Sequence, residues 1–189
     1  MSDEPPVTLD KRVIRSKELV LRETYRQLSE GGIGGVSIDE VSRRSGVSKT
    51  TIYRHWPSRS ALLLDACSKI GGQAEQPDSG SLGGDVSMLA EKLAEELSTG
   101  AWPAVLPSII DAAERDPEIA QLHANLHAGF MKPFFEAIER ARDRGELRQD
   151  RDSAAIVAAI VGPLFYRRWF SKEPIGKEFV SDVVRRAMI

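Results

Sequence analysis

With 189 residues, 41% of them hydrophobic and 29% charged, the chain has the composition of a soluble globular protein and enough apolar material to bury a core, as one large domain or a small one joined to a medium one. A net charge of -2 argues against a strongly basic surface, and a lone cysteine, Cys67, excludes an intrachain disulfide and a cysteine-based zinc cluster. No apolar run approaches the ~18 residues of a spanning helix, and the acidic start MSDEPPVTLD lacks the basic and apolar regions of a signal peptide, so a cytoplasmic protein is expected.

The first predicted helix runs from about Lys11 to Glu30 and ends at Gly31-Gly32. Val20, Leu21, Thr24, Tyr25 and Leu28 form its inward stripe. The following GGIGG has no strand before it and no GK[ST] after it, so it reads as a flexible helix connector rather than a phosphate-cradling loop. Ser37, with Glu40 three residues on, has the spacing of a capping box and starts a helix carrying Ile38 and Val41 inward. Gly46 supplies a residue that tolerates positive φ at a sharp turn, and Ser48 caps the next helix. In that helix Ile52 and Trp56 (i, i+4) face inward, leaving Lys49, Thr50, Thr51, Tyr53, Arg54 and His55 outward or at the margin. Pro57 stops it, and Ser58 caps a fourth helix reaching about Gly71, in which Cys67 lies in an apolar run and reads as a buried thiol.

Helix, glycine turn and second helix with a cationic, hydroxylated and aromatic face suit a groove lined with phosphates and base edges; an ordinary αα-hairpin with a solvated charged face has the same bare pattern. The order of residues is more specific. The runs LSEGGIGGVSIDEVSRRS and GVSKTTIYRHWPSRSALLLDA closely resemble the amino-terminal DNA-binding domain of the tetracycline-repressor (TetR) family of transcriptional regulators, over about Val13 to Ala66. The chain departs from the family in having Glu23 and Thr24 where a small Ala-Ala pair is common, and Arg59 where lysine is usual. The resemblance implies DNA contacts from Ser37, Ser48, Lys49, Thr50, Thr51, Tyr53, Arg54, His55 and Arg59. Lys49, Thr50 and Thr51 are expected at base edges, and Tyr53, His55, Arg59 and Ser37 at phosphates. Arg59, a cation at the positive end of the fourth helix, would find a nearby phosphate favourable. Charge is divided in the expected direction: residues 1–60 carry eleven Lys and Arg against eight Asp and Glu.

The Gly-, Ser- and Pro-rich stretch 71–84 reads as a mobile connector, making 1–70 the DNA-binding domain and 85–189 a second domain. Helical periodicity then recurs over about 85–98, 103–115, 117–144, 153–170 and 175–188, with no convincing strand, so the fold class is all-α: a three-helix DNA-binding domain plus a helical bundle. RDPEIAQL, RARDRGELRQDRD and VGPLFYRRWF are similar to a subtype of the family's ligand-binding and dimerisation domain. By that likeness Ala154, Val157, Ala158, Val161, Leu164, Phe165, Phe179, Val183 and Met188 face a second subunit; the same stripe would serve as intrachain core. Trp102, Leu106, Ile109, Ile110, Leu126, Phe130, Met131 and Phe134, with Trp169, are bundle core or the lining of an effector cavity, where His123, His127 and Asn125 are candidate polar hooks. His123 and His127 (i, i+4) offer only two ligands, so no metal site is expected, and no cofactor.

No catalytic motif is present, so an enzyme is not expected. The expected protein is a homodimeric regulator that binds double-stranded operator DNA, a repressor released by a mainly hydrophobic small-molecule effector. A family activator and a helical adaptor without DNA binding are the alternatives.

Overall fold

In the computed structural model, residues 7–70, 76–100 and 102–188 are described. They form nine α-helices and no strand: α1 (Val7–Gly31), α2 (Ile38–Ser45), α3 (Lys49–His55), α4 (Arg59–Ile70), α5 (Leu82–Thr99), α6 (Trp102–Ala113), α7 (Pro117–Asp143), α8 (Ser153–Phe165) and α9 (Lys177–Ala187). Each expected helix is present, with ends displaced by a few residues. Residues 1–6 and the first part of the expected connector, 71–75, lie outside the described residues, and α5 starts at Leu82 because Ser81 caps it by accepting from the Gly84 N–H.

The chain divides into two compact units, 1–70 with 104–126, and 71–103 with 127–189. This differs from a simple cut at the connector, since most of α6 and the start of α7 belong with the first four helices. A contact 75 residues apart in sequence accounts for part of the difference: the Ile33 N–H donates to Ser108 Oγ at 3.1 Å. Gly32, at φ 63°, leaves room there, because a Cβ on it would stand 2.9 Å from Ser108 Cβ. GGIGG is therefore a short 3₁₀ turn over Ile33–Gly35, with Ile33 buried, rather than a loose connector.

In the first unit Val20, Thr24 and Leu28 of α1, Val41 of α2, Ile52 of α3 and Leu62, Leu63 and Cys67 of α4 are almost fully buried, each large aliphatic contributing about 1.5–3 kcal/mol. Thr24 fits because its hydroxyl donates to Val20 O at 2.8 Å, satisfying the polar atom. Tyr25 is half-buried and its hydroxyl has no partner among the described residues. Trp56, 5% exposed, donates from Nε1 to Asp65 Oδ2 at 2.9 Å. Burial pushes the Cys67 thiol up to about 12, consistent with the inert thiol expected.

The second unit packs α5, α8 and α9 with the later part of α7 around Val86, Ala90, Leu97, Ile138, Ile160 and Leu164. Asp85 is wholly buried, receives Ser79 N–H (2.7 Å) and Oγ–H (2.8 Å), and pairs with Arg140 at 3.3 Å. Burial alone would raise this carboxyl, but the Ser79 and Arg140 hydrogen bonds outweigh it and hold Asp85 below the ordinary carboxylate range. Arg140 also donates to Pro77 O, so the clamp fixes 77–85 against α7. Within α8, Pro163 carries no amide hydrogen, and just beyond it the helix widens into a π-helical turn over Tyr166–Ser171, ended by Lys172 at φ 58°.

Candidate nucleic-acid interface

Three local signals set the angle between α2 and α3. Ser37 Oγ accepts from the Glu40 N–H at 3.5 Å and Ser48 Oγ from the Thr51 N–H at 3.3 Å. Gly46 takes the left-handed conformation, φ 71°, and its N–H closes on Ser42 O. The capping box at α2 is only half formed. The Ser37 N–H goes to Gln27 Oε1 at 3.0 Å, and the Glu40 carboxylate binds Arg43 (2.8 and 2.5 Å) and Arg44 instead. Those two guanidinium groups, Arg43 first, hold Glu40 down at about 2. Glu23, in the place of the small residue, lies 3.9 Å from Arg44 and receives hydrogen bonds from Arg26 and Gln27.

With Ile52 and Trp56 anchored in the core, α3 presents Lys49, Thr50, Tyr53 and Arg54 to solvent. Thr51 is half-buried and its hydroxyl shares a hydrogen bond with Ser48 Oγ at 3.0 Å. Lys49 Nζ lies 2.6 Å from Asp39 Oδ1, a pairing the spacing of the two residues did not disclose. His55 is half-buried, edge-on to Trp56 at 5.8 Å, and its Nε2 has no partner among the described residues. Burial first, then the charges of Lys17 and Arg54, lower its basicity, so it enters neutral pH as an uncharged imidazole. Arg59 is half-buried at the start of α4 and reaches back to the connection between α1 and α2. Its Nε donates to Val36 O at 3.2 Å and another arm to Ile33 O, so backbone carbonyls partner the cation at the start of α4.

The effector residues fall into both units. Leu106, Ile109, Ile110, His123, Asn125 and Leu126 belong to the first, whereas Trp102, His127, Phe130, Met131 and Phe134 belong to the second. Trp102 and Phe130 meet at 4.9 Å, and Met131 and Phe134 are buried in the second core. His127 and Asn125 are exposed, Asn125 being paired on the surface with Gln121. Among the described residues no three of His, Cys, Asp or Glu converge as a metal site. In the π-helical turn Arg168 Nε and Ser171 Oγ are shielded from solvent and have no partner among the described residues, and no local motif marks them in the sequence.

On α8, Val157, Val161 and Leu164 are buried within the single chain, as is Val183 on α9, so these four are intrachain core. Phe165 and Phe179 are half-buried, against Trp169 (5.0 Å) and under the Arg167 guanidinium (3.5 Å). The solvent face of α8 is Ala154, Ala155, Ala158, Ala159 and Gly162, continued by Tyr166 and Phe170, stacked at 5.8 Å and 60% and 76% exposed. A stripe apolar on nearly every side hid which face was free.

A helix-turn-helix with this exposed reading helix, in an all-α chain with a second helical unit, defines a DNA-binding regulator. Residues 20–66 match the family described as bacterial regulatory proteins, tetR family, and residues 76–187 the tetracyclin repressor-like C-terminal domain. The chain belongs to the TetR family of transcriptional regulators, not to any enzyme family. It is 30% identical over 173 residues to the HTH-type transcriptional regulator YdeS of Bacillus subtilis, covering 89% of this chain and 85% of that one. It is 32% identical over 169 residues to the DNA-binding transcriptional repressor TetR of Mycobacteroides abscessus, covering 87% of each. Among solved structures, the TetR family regulator SCO0332 superposes with a TM-score of 0.74 at 27% identity, over 92% of this chain and 96% of that one. Among the described residues no helix is long and apolar enough to cross a membrane.

Proposed function

We propose that the protein is a homodimeric repressor whose two α3 helices enter successive major grooves of an operator about 34–36 Å apart, and which a small-molecule effector releases. The observation that carries this reading is the division of α3 into a core side, Ile52 with Trp56 at its C-cap, and a solvent side bearing Lys49, Thr50, Tyr53 and Arg54. In this reading Lys49 and Thr50 meet base edges, Tyr53 and Arg54 meet phosphates, and Ser37, Ser48 and Thr51 chiefly hold the helix ends. His55 and Arg59 support the head from inside. The second subunit covers the small-residue face of α8 with Tyr166 and Phe170, where short side chains permit close helix approach. The effector is mainly apolar, met by Trp102 and Phe130, whose rings lie 4.9 Å apart.

The test is titration of the full chain into duplex DNA from upstream of its own gene and into random duplex, across a range of salt, with a reporter driven by that upstream region. Tight, salt-dependent, sequence-selective binding and a reporter that rises when the regulator is deleted are expected. Equal affinity for both duplexes rejects the operator reading, and a reporter that falls on deletion rejects repression in favour of activation.

A further inference from the structure

The ion pair between Asp39 and Lys49 sits on the reading surface itself. Lys49 is the first residue of α3, where the exposed amide ends of the helix disfavour a cation, and Asp39 lies in the first turn of α2, where an anion is favoured. The turn at Gly46 leads from the end of α2 into α3, and the pair at 2.6 Å, between the first turns of the two helices, relieves the first conflict with a charge placed well for the second. The other acid of that turn, Glu40, is occupied by Arg43 and Arg44, which leaves Asp39 as the carboxylate paired with a side chain of the exposed face of α3.

We propose that Asp39 is a specificity-determining residue that turns Lys49 into a reader of neutral acceptors, the guanine O6/N7 edge in the major groove, and bars it from DNA phosphates. The inference rests on the reading above that α3 enters the groove with Lys49 foremost. An ammonium group has three donors. With one engaged by Asp39, two remain to bridge the paired acceptors of guanine, which bring no negative charge against the carboxylate. A phosphate at the same ammonium would stand next to Asp39, so a non-cognate complex must either give up the Lys49 contact or bear a like-charge repulsion. Selectivity then arises from what Asp39 penalises as well as from what Lys49 gains. Asp39 does not touch the DNA in this scheme; it positions Lys49.

The experiment compares wild type, Asp39→Asn, Lys49→Met and the double variant, all full length, on a duplex obtained by selection from random sequence with the wild-type protein and on a random duplex of equal length. Both side chains are exposed, and circular dichroism melts are expected to coincide. Asp39→Asn should tighten random-duplex binding and steepen its salt slope by about one unit, because Lys49 then neutralises one more phosphate. The preference for the selected duplex should shrink, and reselection with Asp39→Asn should weaken one guanine position. In the Lys49→Met background the Asn substitution should have none of these effects. If Asp39→Asn leaves affinity and slope on random duplex unchanged, or acts equally without Lys49, Asp39 is not the determinant. If Lys49→Met binds the selected duplex as wild type does, the placing of Lys49 in the groove fails, and the role of Asp39 falls with it.

Discussion

Removing the Arg59 side chain should destabilise the head rather than merely weaken its grip on DNA. The guanidinium holds two backbone carbonyls, Val36 O and Ile33 O, of the connection between α1 and α2, and it is half-buried. A hydrogen bond with a charged partner is worth about 1.5–3 kcal/mol, and water can recover part of two near-surface carbonyls, so Arg59→Ala should cost roughly 2–3 kcal/mol in all. For a chain of this length that is about 4–12 °C in Tm. Arg59→Lys keeps the charge but loses the fork, so it should recover only a minor part. Thermal unfolding followed by fluorescence reads this directly, since Trp56 lies in the core of the same unit. DNA titrations over a range of salt, well below the melting range, provide the second axis. If Arg59→Ala melts within a degree of wild type while its salt slope becomes shallower by about one unit, the signature of a lost phosphate contact, Arg59 is a DNA contact and not a brace of the head.

Asp85→Asn should lower stability by about 1.5–3 kcal/mol at neutral pH through loss of the carboxylate charge that Arg140 and Ser79 hold by hydrogen bonds. Because the folded carboxyl is depressed below its ordinary value of 3.8, that stabilisation is complete above 3.8 and disappears as pH falls through the folded value; melts of both proteins should converge in acid, and a gap that persists there contradicts the assignment. Cys67, with its thiol near 12, should resist a thiol reagent at pH 8 and react at once in denaturant; fast labelling of the native protein would place it at the surface. Ala158→Glu, on the exposed face of α8, should abolish dimers in sedimentation without lowering helicity, and a dimer that survives moves the interface elsewhere.

The existence of the helices, and the ends of α3, were legible because their signals are local: Ser48 and Pro57 around α3 and Gly46 before it. The inward residues of α1 and α3 could be read for the same reason, since Val20, Leu28, Ile52 and Trp56 recur at helical spacing against polar neighbours. What the sequence did not disclose depends on encounters across the fold. Arg59 meets Ile33 and Val36, Lys49 meets Asp39, and Glu40 chooses two arginines over its own helix end. On α8 periodicity carried no information, because alanines and valines occupy both faces and only neighbouring helices decide that Val157 is covered and Ala158 is not. The π-helical turn likewise has no local sequence mark beyond Pro163.

The place of Ser108 bears on modularity. The unit that contains α1–α4 also holds 104–126, with Val105 and Ile109 wholly buried and Ser108 accepting from the Ile33 amide. A graft that moved only residues 1–70 onto a foreign body would strip those partners, uncover apolar surface and leave that amide to water. The transplantable DNA-reading cassette is discontinuous in sequence, so chimeras of this regulator have to be spliced at three places, after α4, inside α6 and inside α7.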